Sequence, residues 1–415
     1  MGLKATVKKL IGTKNQYRIK AMKGWIRYRK TRKNAGYQMK STQWQEPVIF
    51  EETDRNLFFG YYDLQQIQGN KMLLTSLPRK ADPRRDEAEL LWVDLDTHRR
   101  HLIGTTRAWC WQQGSRLRWH PAKADTVLYN DLEENRYVCR EYSLSTGQTR
   151  TLGPAVYDIT PDGRWGLTLH YSRLQRLRPG YGYCTLPDHT RNANVPEDGA
   201  IFLVDMESGT QKPLLTYAQL LELSPEAQGQ QNYVNHISIS PDGSRFLFFH
   251  LWAPGPLQRW SGRLCTANMD GSDLTCHERE FIPSHYCWKD SHTLLITSVG
   301  FGGSPSWYYC YDLTTGTRKK LQNDNLKQDG HPTFFPHTDT FLTDTYPLEG
   351  SMQHLFTADL EGNFSPICKI YSDPRRFEQT RCDLHPRLTP DGRTVTVDCT
   401  FRDGKRSVLL LRRAD

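Results

Sequence analysis

The chain has 415 residues, 37% of them hydrophobic, and a formal charge of +8 from 54 Lys and Arg against 46 Asp and Glu. That apolar content excludes a disordered chain, and no apolar run approaches the ~18 residues that span a bilayer. Residues 1–40 hold 13 basic and no acidic side chains, so the remainder carries 41 basic and 46 acidic groups, net −5, a balance that excludes nucleic-acid binding by the body.

Residues 1–44 read as a basic amphipathic tail, helical or disordered. Two short helices fit residues 2–30: Leu3, Val7, Leu10 and Ile11 share one face, and after a break at Gly12, Tyr17, Ala21, Trp25 and Tyr28 share another. A basic helix with Trp and Tyr on its apolar face suits an anionic bilayer interface. An anionic membrane surface is therefore an expected partner. The tail has no continuous apolar region and no small-residue cleavage site, so a secretory signal is not expected. With no C-x-x-C pair, the ten cysteines read as reduced thiols of a cytoplasmic protein that is peripheral on the inner face of the membrane.

Residues 45–415 alternate short strands with turns and offer little helix apart from a stretch near 215–230. One turn recurs as Thr160-Pro161-Asp162-Gly163, Ser240-Pro241-Asp242-Gly243 and Thr389-Pro390-Asp391-Gly392, with degenerate versions after His120 and Phe335. Between these turns lies a second signal, an apolar strand ending in Asp-Leu-like residues, as at Val93-Asp94-Leu95 and Tyr311-Asp312-Leu313. Inner strands starting near Tyr61, Arg116, Tyr157, His236, His285, His331 and His385 predict an all-β, seven-bladed propeller of four-stranded blades. The last unit lacks an outer strand, which Pro47–Phe50 would supply by closing the ring. The chain is expected to be a monomer.

The inner strand of each blade faces the central channel. His236, His331 and His385 each stand five residues before a turn proline, and His285 stands in nearly that register. Imidazoles converging on one axis suit a divalent metal of the Zn or Mn class, and Cys382 would add a thiolate.

Longer strings carry a family resemblance: Phe58-Phe59-Gly60-Tyr61-Tyr62-Asp63, Ala108-Trp109-Cys110-Trp111-Gln112-Gln113-Gly114, Tyr129-Asn130-Asp131, Tyr171-Ser172-Arg173-Leu174, Arg178-Pro179-Gly180-Tyr181-Gly182-Tyr183, Asn235-His236, and Arg381-Cys382-Asp383-Leu384-His385-Pro386-Arg387. Together they resemble the seven-bladed propeller polysaccharide lyases of the ulvan lyase type and, more distantly, the oligogalacturonate lyases. The resemblance implies β-elimination at a uronic acid, with an acidic polysaccharide or oligosaccharide as partner. A cation neutralises the C5 carboxylate, a base takes the C5 proton, and an acid protonates the leaving O4.

It implies further that Tyr157 and Arg173 are the family's Tyr/Arg pair. The family's histidine pair falls in the segments around Trp111–Gln113 and Asn130–Asp131, where this chain has no imidazole. The nearest alternatives are His120 and His170, and His170 is taken as the third catalytic candidate. Arg178, Tyr181 and Tyr183 form an aromatic and basic loop suited to an acidic sugar. Trp109, Trp111, Gln112, Gln113 and Asn130 are expected to line the same mouth. The alternative expectation is a membrane-associated cytoplasmic propeller that binds or modifies glycan intermediates in surface polysaccharide synthesis, without lyase activity.

Overall fold

Seven antiparallel sheets follow one another along the chain. The computed structural model describes residues 3–277, 280–300 and 304–414, with side chains from residue 15 onward. The first blade runs outward through Arg55–Phe58, Lys71–Pro78, Ala88–Asp94 and Arg100–Thr106. The next five begin at Arg118–Trp119, Asp158–Ile159, Gln231–Ile239, Pro283–Trp288 and Thr333–Phe334. The seventh runs through Arg387–Leu388, Thr394–Cys399 and Ser407–Arg412, and its outer strand is Val48–Phe50. Val48 pairs with Leu410 and Phe50 with Val408, so the segment expected to close the ring does so.

The recurring turn has a physical cause. In each copy the hydroxyl of Thr160, Ser240 or Thr389 donates to the Asp two residues on, at 2.5, 2.6 and 2.6 Å. The following glycines, Gly163, Gly243 and Gly392, take φ values of +74°, +73° and +71° that disfavour any side chain. These turns join first to second strands, so in a meander they share one face of the ring. Connections from second to third strands, and from one blade to the next, fall on the opposite face. The inner strands begin on that second face.

Blade 1 departs from the pattern in a way that builds the centre. Arg55–Phe58 and Ile67–Gln68 both pair with Lys71–Pro78, and residues 59–66 leave the sheet between them. Gly60 makes the departure possible: its φ is +138°, and a Cβ there would lie 3.0 Å from the Gln113 backbone. The excursion carries Tyr61 and Tyr62 into the ring of histidines.

The tail is one continuous helix, α1 (Leu3–Thr31), without the expected break at Gly12. The side chains of the first predicted face, residues 3–11, lie outside those described. Gly24 packs so closely that a Cβ would meet the Pro374 carbonyl at 2.6 Å. Tyr17 meets Phe377 at 5.0 Å, Arg375 lies 3.7 Å over Tyr28, and Lys20 pairs with Glu378. Of the face expected to meet a bilayer, Tyr17 and Tyr28 touch the propeller, while Tyr17 and Trp25 stay 55% and 51% exposed. Beyond it, Tyr37–Met39 adds a fifth strand to blade 6 by pairing with Phe364–Tyr371.

Among the described residues, two further α-helices interrupt the sheets. The first, α2 (Tyr171–Leu177), opens the long connection between the second and third strands of blade 3. The second, α3 (Tyr217–Leu223), carries a capping box between Thr216 and Gln219 and lies in the stretch expected to be helical. None of the ten cysteines forms a disulfide. Among the described residues, no helix is long and apolar enough to cross a membrane.

Candidate active site

The four inner-strand histidines converge. The rings of His285 and His331 are 4.1 Å apart, those of His331 and His385 are 4.5 Å apart, and His236 lies 6.3 Å from His285. All four are buried. Local backbone aims them: His236 and His385 adopt φ of +57° and +45°, and His236 and His285 sit where the strand register shifts by a bulge. Tyr61 fills the space between them, 5.2 Å from His236 and 4.7 Å from His385.

Each imidazole of the tight group is held through one nitrogen. His331 Nδ1 bonds Asp344 at 2.8 Å, His285 Nδ1 bonds Asp329 at 2.9 Å, and His385 Nδ1 donates to the Gly60 carbonyl at 2.7 Å. The Nε2 atoms of His331 and His385 are buried without a hydrogen-bond partner, as is Nδ1 of His236. Metal-binding histidines use this arrangement, one nitrogen oriented by a carboxylate or carbonyl and the other left for the ion. His331, His385 and Asp383 place ligand atoms within 4.8 Å of one another. The donor set therefore fits a divalent ion of the Zn or Mn class.

Cys382 does not belong to this group. The ligand atoms that come together are those of His331, Asp383 and His385, and Cys382 is not among them. Burial pushes the Cys382 thiol up to about 12, the reverse of what a thiolate ligand needs. Asp383 takes the place in the cluster that Cys382 was expected to fill. Burial alone would raise its carboxyl, but Arg381, donating at 2.6 Å to each oxygen, holds it below the usual range.

Tyr157 lies beside this cluster, fully buried. Its phenol accepts from Gln113 Nε2 at 2.7 Å and from the His236 amide at 3.2 Å, and donates to Asn235 at 3.2 Å. Burial keeps its pKa well above 10, against the opposing pull of Arg116, whose guanidinium stands 4.2 Å over the ring. Arg116 also forks onto Asp63 at 2.9 and 3.1 Å. It stands five residues before Pro121, the register of the histidines, so blade 2 contributes an arginine where other blades contribute imidazole. Burial, then the charges of His285 and Arg178, drive His236 well below 6.5 and leave it neutral.

Arg173 is not available to a substrate. It lies on α2, and its Nε donates to the Asn232 carbonyl, Nη1 to Thr190, and Nη2 to the carbonyls of Ala193 and Asn194. All five N–H groups hold the blade 3 connection to blade 4. His170, at the start of that helix, faces a different cluster with His189 and Asp198. His120 sits among the turns of the opposite face, where Nδ1 accepts from the amides of Ala122 and Lys123.

The remaining candidates divide in two. Trp109 donates its indole N–H to the Asp86 carbonyl, and Trp111 stacks on Phe58 under Arg406; both are core. Asn130 ties Val156, Tyr171 and Tyr183 together, so Asn130 and Tyr183 are also structural. Gln112 secures the carbonyls of Gln379 and Arg381. By contrast, Gln113 reaches Tyr157, and Tyr181 meets Tyr61 at 6.5 Å and His236 at 5.8 Å. Arg178 stacks between Tyr181 and Trp260 at 4.8 and 4.2 Å, with Nε buried and without a hydrogen-bond partner.

No protein-family model and no curated protein sequence matches the chain. Among solved structures, the fold is similar to an oligogalacturonate lyase in complex with manganese, at 15% identity and a TM-score of 0.62, over 91% of this chain and 99% of that one. It is also similar to an oligogalacturonate lyase from Vibrio parahaemolyticus, at 13% identity and a TM-score of 0.56, over 91% and 98% of the two chains. Likeness at this level defines a seven-bladed propeller of the kind those lyases share. Both are of the type that the sequence resembles more distantly.

Proposed function

We propose that the protein cleaves a uronate-containing glycan by β-elimination at the buried histidine cluster. The observation that carries this reading is the set of unpartnered imidazole nitrogens of His236, His331 and His385, with Tyr157 bonded to the His236 amide and Arg178 stacked on Tyr181, which meets His236 at 5.8 Å. Their closeness gives neutral base, proton donor and cation to one small volume.

His331, His385 and Asp383 would hold a divalent ion, with His285 alongside, and the ion would supply a positive charge for the substrate carboxylate. The neutral imidazole of His236 has a lone pair for the C5 proton. Tyr157, kept protonated by burial, supplies the proton that the leaving O4 requires. Electrons from the C5–H bond form the C4–C5 double bond as the C4–O4 bond breaks, so no oxidant is needed. Arg178, rather than Arg173, is the side chain that would grip the carboxylate.

The test is ultraviolet absorbance of the conjugated product during incubation with galacturonate or glucuronate oligomers. A rising signal that Tyr157→Phe and His236→Gln abolish supports the reading; full activity in both variants would overturn it. One observation favours the second reading, a propeller that binds or modifies glycan intermediates without elimination: the Tyr157 phenol is already saturated with hydrogen bonds. Calorimetric binding of the oligomers with no product formed would establish that alternative.

A further inference from the structure

Helix α1 carries two apolar stripes, and the propeller covers one of them. Ala21, Gly24, Tyr28 and Thr31 turn toward the blades, with Gly24 buried against Pro374 and Thr31 3.2 Å from the Tyr371 hydroxyl. At 100° per residue, Ile19, Met22 and Ile26 fall on the opposite side. They are 36%, 58% and 49% exposed, and Trp25, 51% exposed, stands at the edge of their stripe. Arg18 and Arg29 border the stripe on the Trp25 side, and Lys23 and Lys30 border it on the other; all four are exposed.

The occupant follows from chemistry. Segment 1–40 has 13 cations and no acid, so a second copy of the helix would meet like charge with like. A nucleic acid would satisfy the cations but leave Ile19, Met22 and Ile26 in water. An anionic lipid surface satisfies both, with the apolar stripe in the acyl boundary and the flanking cations among the headgroups. Position matters too. The helix rests on Leu348 and on residues 374–378, connections of the face where the inner strands start, the latter leading directly into Arg381, Asp383 and His385.

We propose that the outward stripe of α1, Ile19, Met22 and Ile26 with Trp25, lies in an anionic lipid surface, on the face of the propeller from which the inner strands start. Such binding would hold whatever reaction the cluster performs.

The full chain should co-sediment with phosphatidylcholine vesicles containing roughly 30 mol% phosphatidylglycerol and stay in solution with pure phosphatidylcholine. Replacing Ile19, Met22 and Ile26 together by Ser should weaken binding at least about tenfold without moving the melting temperature. Arg18→Gln and Lys23→Gln should each weaken it about fivefold, and high salt should do the same as both. Undiminished binding by the triple variant would overturn the proposal, as would equal binding to neutral vesicles. So would a wild-type dimer that the triple variant dissociates, or binding to an RNA duplex in place of vesicles.

Discussion

Asp344 accepts a 2.8 Å hydrogen bond from Nδ1 of His331, and that bond determines what the other nitrogen can do. It fixes the ring and leaves Nε2 facing His385 and Asp383 with no protein partner. Burial alone would make His331 less basic, but Asp344 raises its pKa, so the same carboxylate that makes it a strong proton acceptor makes it a strong metal ligand.

Metal content follows from this pairing. Elemental analysis of the purified protein should find one Mn or Zn per chain. His331→Ala with His385→Ala should remove it, and Asp344→Asn should lower affinity about 10–100-fold. Cys382→Ser should retain the ion, because Cys382 is not among the converging ligands.

Arg173 and Arg178 should separate in experiment. Arg178→Ala should weaken oligouronate binding about 10–100-fold, the worth of one charge-assisted hydrogen bond, with little change in melting temperature. Arg173→Ala should instead destabilise the fold by at least about 3 kcal/mol, since it strands the carbonyls of Asn232, Thr190, Ala193 and Asn194. Calorimetry and thermal melts on both variants check this.

Ring closure predicts a stability effect far from the site. Phe50 packs with Leu57, Val408 and Leu410 where the ends of the chain meet. Phe50→Ala should cost about 3–5 kcal/mol in chemical denaturation. A similar loss from the exposed Leu102→Ala would deny that closure is the cause.

The protein should lose stability in mild acid. Burial pushes His250 down to about 3, and it is fully enclosed, with Nε2 bonded to Asn232 at 2.8 Å. In the unfolded chain it titrates near 6.5, so between those values the unfolded state binds the extra proton. Its contribution is complete above about pH 6.5 and falls as pH drops toward 3, by up to about 1.4 kcal/mol per pH unit. His250→Asn should flatten the dependence of stability on pH in that window; an unchanged slope would refute the assignment.

The turns and the ring were legible in the chain because Thr-Pro-Asp-Gly encodes its own hydrogen bonds locally. The histidine register was legible for the same reason, measured from those turns. What was not legible depends on partners remote in sequence. Asp329 and Asp344 orient imidazoles 44 and 13 residues away, and Tyr61 reaches the centre only because blade 1 breaks its inner strand at Gly60. Arg173 was misread because α2 has seven residues and no side-chain cap at His170, leaving little local signal for a helix. Arg116 was within reach, since Pro121 places it in register, but its residue type hid it among cations.

The central claim is elimination at the His236–Tyr157 pair, and product mass tests it most directly. Digestion of a uronate oligomer by the metal-replete protein should release a fragment lighter by one water than the hydrolysis product, with a new C4–C5 double bond, and His236→Gln should abolish it. A fragment of hydrolytic mass, or no fragment despite tight binding, would contradict it.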